Sequence, residues 1–168
     1  SSPATTVTVN LNETNVDDNN PVFSEDEAFD GSFASGAYTF SYSENQTLTT
    51  TVIGKVLATD SDGDTLTYGI TSNVNVGTVE NPVDAYAIDP ATGAITLTSA
   101  GLAALTNDFE ALANAHQITV SVSDDSSPAT TVTVNLNETN VDDRKLSVDS
   151  MRVNEASPFA VFTVTGNV

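Results

Sequence analysis

The sequence predicts an all-β protein, an antiparallel Greek-key β-sandwich of seven strands with a short helical segment near residues 99–115. Three observations carry that prediction. Thr, Val and Ile dominate short runs that alternate polar and apolar residues with period two, as half-buried strands do. The runs are separated by turn signals at Asp62-Gly63, Asp89-Pro90, Thr92-Gly93 and Ser127-Pro128. No helices of βαβ length stand in the connections, which favours antiparallel pairing.

In chain order, the expected strands are Ala37–Tyr42, Thr50–Thr59, Leu66–Ile70, Ala85–Ile88, Ala94–Leu97, His116–Ser123 and Thr130–Leu136. Residues 31–36 and 71–83 read as long surface loops. Leu102, Leu105, Phe109 and Leu112 fall at spacings of three, four and three in an Ala-rich stretch. This predicts a helical turn or short helix over Ser99–Ala115, with Ser99 as its N-cap, lying as a lid across one sandwich edge.

An internal duplication sets the domain organisation. The 18-residue word SSPATTVTVNLNETNVDD at Ser1–Asp18 returns unchanged at Ser126–Asp143. A word of this length marks a tandem array. Residues 1–18 are then expected to be the last strand and linker of a preceding repeat, 19–143 one complete repeat, and 144–168 the start of the next module. The alternating Thr6–Leu11 and its copy Thr131–Leu136 both have strand patterning. Only the second has a preceding strand, His116–Val122, to pair with. Three outcomes stay open for Thr6–Leu11: pairing with the C-terminal fragment, docking on another molecule, or partial disorder.

Against 23 Asp and Glu the chain has 4 Lys and Arg, a formal net charge of -19. Nucleic acids and anionic membranes are poor partners for such a surface. The charge reads either as solubilising or as balanced by cations. With no cysteine, disulfides and thiolate metal sites are excluded, and stiffening must come by other means. No apolar run approaches the roughly 20 residues that span a bilayer, so membrane insertion is not expected. No charged leader precedes an apolar segment, and an export signal is expected outside these residues.

Carboxylates concentrate where strands end. Asn15, Asp17, Asp18, Asn19 and Asn20 precede Pro21; Asp60-Ser61-Asp62-Gly63-Asp64 follows the second strand. Asp108 and Glu110 form a pair, Asp124 and Asp125 close a strand, and Asn140, Asp142 and Asp143 repeat the first linker. Any one pair reads more readily as a solvated turn than as a ligand set. Together they place like charges at the same poles, which is costly without a counter-ion. The alternate spacing Asp60/Asp62/Asp64 aims carboxylates at one point when Gly63 allows the turn. An all-oxygen donor set assembled from protein groups favours Ca²⁺ over Zn²⁺ and Mg²⁺.

From about Val16 to Asp143 the sequence resembles a cadherin repeat, in the bacterial form found in very long RTX-type surface adhesins. The linker motif Asp-x-Asn-Asp-Asn-x-Pro is matched by Asn15-Val16-Asp17-Asp18-Asn19-Asn20-Pro21, with Asn for the first Asp and Asp for the first Asn; Phe23 follows. In order come Glu44-Asn45, Ala58-Thr59-Asp60-Ser61-Asp62 ahead of Tyr68, the hairpin Ile88–Ile95, Asp108-Phe109-Glu110, and Asp124. The resemblance implies Ca²⁺ between successive repeats. Asp60, Asp62 and Asp124 would face a first seam with Asn15, Asp17, Asp18 and Asn19. Glu44, Asp108 and Glu110 would face a second seam with Asn140, Asp142 and Asp143. Asp64 and Glu155 are further candidates. At the second seam Arg144 replaces the last Asn and Leu146 stands where proline is expected, so weaker or fewer ions are implied there. Residues 148–168 look similar to the opening of a Calx-beta-like module, or equally to the start of a second cadherin-like repeat.

Catalysis has little support, and the chain is not read as an enzyme: His116, the single histidine, precedes a strand where a structural role is expected. A Gly-rich phosphate loop and a basic or aromatic nucleic-acid platform are lacking. The functional expectation is a Ca²⁺-rigidified extender of a cell-surface adhesin, secreted or on a bacterial surface. Its partners would be neighbouring repeats, with homotypic contacts through unpaired edge strands. A carbohydrate- or protein-binding module is the alternative, left open by Tyr38, Tyr42, Tyr68, Tyr86 and the two loops.

Overall fold

The computed structural model describes residues 2–14, 16–25, 29, 31–105, 109–110, 112–126 and 128–142, and the backbone of 146–148 and 164–166. The strands are β1 (Val22–Ser24), β2 (Ser32–Ala34), β3 (Ala37–Ser43), β4 (Val52–Lys55), β5 (Leu57–Thr59), β6 (Thr67–Ser72), β7 (Tyr86–Ile88) and β8 (Ala94–Leu97). The helix α1 (Ser99–Leu105) precedes β9 (Ala115–Ser123) and β10 (Thr130–Thr139). A separate ribbon pairs β11 (Leu146–Val148) with β12 (Val164–Gly166). The proposed ligand Glu155 lies outside the described residues.

One layer is the five-stranded sheet β2-β3-β10-β9-β6. The other is built from β4-β8-β7 and the pair β1-β5. The sheets bury their alternate residues against each other. Tyr38, Phe40 and Tyr42 of β3, Ile118, Val120 and Val122 of β9, and Val132, Val134 and Leu136 of β10 meet Ile53, Val56, Tyr86, Ile95 and Leu97. Burial of such side chains stabilises by about 1.5–3 kcal/mol each relative to exposure. Each of the seven predicted strands has an observed counterpart; β1 has no predicted one, and three further differences are instructive.

The stretch Thr50–Thr59 is two strands, because it serves two sheets. Residues before Val56 pair with β8 and those after it with β1. Val56 itself is fully buried and donates its N–H to the Gly93 carbonyl at 3.1 Å. Residues 31–36 are half of a hairpin instead of a loop. Ser35 and Gly36 both have positive φ, 53° and 75°, which is the primed turn that joins β2 to β3 with two residues. Third, β10 runs parallel to β3 while antiparallel to β9, so the sandwich is not purely antiparallel.

The helix is also shorter than its apolar spacing suggests. Thr98, not Ser99, caps it: its Oγ1 accepts the Gly101 N–H at 3.0 Å and its carbonyl accepts that of Leu102 at 2.9 Å. Leu102 and Leu105 pack on the core, but Leu112 is exposed. Beyond the helix the Phe109 N–H goes to the Glu44 carboxylate and the Phe109 carbonyl accepts the Asn114 amide. Those bonds spend the backbone groups that a continuing helix would need.

The topology decides which chain segments share a pole. Because β3 and β10 are parallel and β9 opposes them, the ends of β3 and β10 meet the start of β9 at one pole. The end of β9 meets the start of β6 at the other, with Ser123 opposite Thr67. The pairing of Val22 with Thr59 brings the chain before β1 to that same pole.

Candidate cation sites at the two poles

At the first pole, Asp60 follows β5, Asp64 precedes β6 and Asp124 follows β9, while residues 17–20 lead into the buried Pro21 and β1. Gly63, at φ 83°, turns the intervening loop in a conformation that an L side chain rarely adopts. Carboxylate oxygens of Asp17, Asp62 and Asp64 lie within 4.8 Å of one another. The Asp62 Oδ2 atom accepts the backbone N–H of Asp18 at 3.1 Å, that of Asn19 at 2.9 Å and the Asn19 side-chain amide at 2.9 Å. Asp18 Oδ1 accepts the same Asn19 amide at 3.1 Å. The linker is therefore tied to the 60–64 loop by one carboxylate.

Asp60 Oδ1 accepts the Asp62 N–H at 2.7 Å, and Asp60 Oδ2 is buried with no hydrogen-bond partner among the described residues. Asp124 is buried, with Oδ1 accepting the Ser126 N–H at 3.0 Å. The Asp64 carboxyl is raised above its ordinary range, first by desolvation and then by repulsion from Asp17, Asp60, Asp62 and Asp124. Four carboxylates thus act on Asp64 here. The structure brings together Asp17, Asp18, Asn19, Asp60, Asp62 and Asp124, and adds Asp64; Asn15 lies outside the described residues. An orphaned buried carboxylate oxygen within an all-oxygen donor set fits a hard divalent cation.

At the second pole, Glu44 follows β3 and is buried. Its Oε1 accepts the Val141 N–H at 2.6 Å and its Oε2 the Phe109 N–H at 3.0 Å. Glu110 Oε1 accepts the Asn140 side-chain amide. Glu44, Glu110 and Asn140 therefore converge; Asp142 is exposed just beyond, and Asp108, Asp143 and Arg144 lie outside the described residues.

The sequence reading missed Glu138. It occupies the next inward position after Val132, Val134 and Leu136 on β10, and only 4% of it is exposed. Neither of its carboxylate oxygens has a hydrogen-bond partner among the described residues. Burial, and then repulsion from Glu44, pushes its carboxyl up to about 7. The signal was a charged residue standing in an apolar register. Beside it, the Tyr42 and Tyr86 hydroxyls bond to each other at 3.0 Å, and burial raises both phenols. Burial holds the His116 imidazole below its usual pKa range, and its buried Nε2 has no hydrogen-bond partner among the described residues.

No family profile matches the chain. Human Protocadherin Fat 1 is 32% identical over 139 residues, which is 81% of this chain and 2% of that protein. Among solved structures, Drosophila N-cadherin EC1-4 superposes with a TM-score of 0.53 at 19% identity, over 78% of this chain and 27% of that one. Human Protocadherin-24 EC1-2 gives a TM-score of 0.53 at 22% identity, over 87% and 58%. Fold and poles define an all-β sandwich with an acidic cluster at each end. Within that class, the fold is like that of cadherin extracellular domains.

Proposed function

We propose that this chain is a Ca²⁺-rigidified extender module of a long cell-surface adhesin, of the RTX type found on bacteria, serving attachment and biofilm formation. Residues 19–143 are one complete repeat, residues 1–18 the end of the repeat before it, and residues 144–168 the opening of the next. The observation that carries the reading is the first pole, where Asp62 holds the linker through three N–H groups inside a cluster with Asp17 and Asp64. A cation bound there neutralises the cluster and couples linker to domain, so adjacent repeats stiffen into a rod. Because such an ion binds only the folded arrangement, it also stabilises the fold by linkage. Asp17, Asp18, Asn19, Asp60, Asp62, Asp64 and Asp124 would hold the ions at this pole, and Glu44, Glu110, Asn140 and Asp142 those at the other. All four tyrosines are buried, so they offer no surface to the carbohydrate-binding alternative.

Replacing Asp60 and Asp62 by alanine tests the assignment. In calorimetric titration the double variant should lose the Ca²⁺ of the first pole and keep that of the second. Equal loss at both poles, or an unchanged number of bound ions, would contradict it.

A further inference from the structure

Among the described residues, the interior end of the second pole carries acceptors without donors. Glu138 presents two buried oxygens with no hydrogen-bond partner there, and the Asn114 side-chain carbonyl a third. A continuous set of hydrogen bonds links the Glu138 backbone through Asn114 and Phe109 to the Glu44 carboxylate. The Glu138 N–H donates to the Asn114 carbonyl at 2.8 Å, the Asn114 amide to the Phe109 carbonyl at 3.0 Å, and the Phe109 N–H to Glu44 at 3.0 Å. The remaining Glu44 oxygen holds Val141, next to Asn140 in the linker. Two buried carboxylates therefore share one end of the sandwich: Glu138 stands opposite Tyr42 in the register of β10 with β3, and Glu44 follows two residues on. The sole lysine or arginine among the described residues, Lys55, belongs to β4 and the opposite sheet.

Leaving buried polar atoms unpaired costs about 1–3 kcal/mol each, and an unpaired carboxylate more. A water molecule supplies two donors; a divalent cation satisfies carboxylate and amide oxygens together and cancels the charge. We propose that Glu138 and Asn114 are inner ligands of a Ca²⁺ site that extends the second pole from the linker into the sandwich, with Glu44 shared between its rim and its interior. This rests on the reading of the poles as cation sites, and adds to it a buried ligand pair beyond the linker and strand-end motifs. It gives the second pole the charge that Arg144 in its linker would otherwise take away.

The test is Ca²⁺ titration calorimetry on the whole chain, comparing wild type, Glu138→Gln and Glu138→Leu, each also with Asp60 and Asp62 replaced by alanine. Changes outside the direct ligands of a metal already cost about 10- to 100-fold in affinity. Glu138→Gln should therefore weaken the sites that survive the first-pole substitutions by at least about tenfold. It should leave the first-pole sites as they are. Both Glu138 variants should also melt higher than wild type in EDTA, because each removes an uncompensated carboxylate. Glu138→Leu continues the apolar register of β10 and provides a folded variant should the amide be poorly accommodated. Unchanged second-pole affinity in Glu138→Gln, with normal first-pole binding, overturns the inner site alone. No binding by wild type at either pole overturns it together with the proposed function.

Discussion

Residues 7–13 and 132–138 have the same sequence and opposite environments. In the first copy Val7, Val9 and Leu11 are 81%, 71% and 91% exposed, and the segment forms no strand. In the second, Val132 is 5% exposed and Val134 and Leu136 are fully buried, in the centre of the five-stranded sheet. Local propensity is identical, so it does not decide the outcome. Strand formation here comes from β3 and β9 on either side, which supply the backbone partners, and from the opposite sheet, which covers the apolar face. The alternating pattern is a capacity that another element must realise.

Matched substitutions in the two copies measure that difference directly. The largest effect is expected at the leucine. Leu136→Ala removes fully buried methyl groups and should cost about 2–5 kcal/mol, while Leu11→Ala should stay within about 0.5 kcal/mol of wild type. Denaturant unfolding followed by circular dichroism reads both. A large cost for Leu11→Ala would mean that the first copy is packed against a partner after all.

A smaller contrast is expected at the asparagines. Asn135 Oδ1 accepts the Gln117 amide at 3.0 Å, and its own amide donates to the Tyr38 carbonyl at 3.3 Å. Asn135→Ala should cost about 1 kcal/mol through these bonds, and Asn10→Ala should cost nothing measurable. Equal effects in the same unfolding assay would show that the asparagine acts through the unfolded chain and not through the sheet.

The same contrast explains how much was legible beforehand. Period-two runs located the seven predicted strands because each of them has a neighbour to pair with. The pattern of Thr6–Leu11 was read equally well, and no local feature distinguishes it from its buried copy. The two-residue turn at Ser35-Gly36 falls in a stretch that reads as a surface loop, because the runs around it are too short to register as a hairpin. The helix was overextended because the spacing of Phe109 and Leu112 matches a helical face; the competing bond from Phe109 to Glu44 spans 65 residues and is invisible to any local window.

The poles were legible in outline for a simple reason. Turn residues at strand ends gather wherever the topology brings those ends together, so acidic strand ends become acidic clusters. Asp17, Asp18, Asn19, Asp60, Asp62 and Asp124 converge as the motif order implied, and Asp64 joins them. Glu138 went unread because its place depends on register: the glutamate follows three apolar residues inward, whereas its copy Glu13 is exposed. Burial, not residue type, separates the two.

Thermal melting of the whole chain in EDTA and in millimolar Ca²⁺ tests the central claim most directly, since the proposed ions bind the folded poles and not the unfolded chain. With free Ca²⁺ at about 100 times its dissociation constant, each site should add about 2.7 kcal/mol of stability, enough to raise the midpoint by several degrees. A midpoint that does not move between the two conditions would contradict the account and return the carboxylates of both poles to the solvated surface.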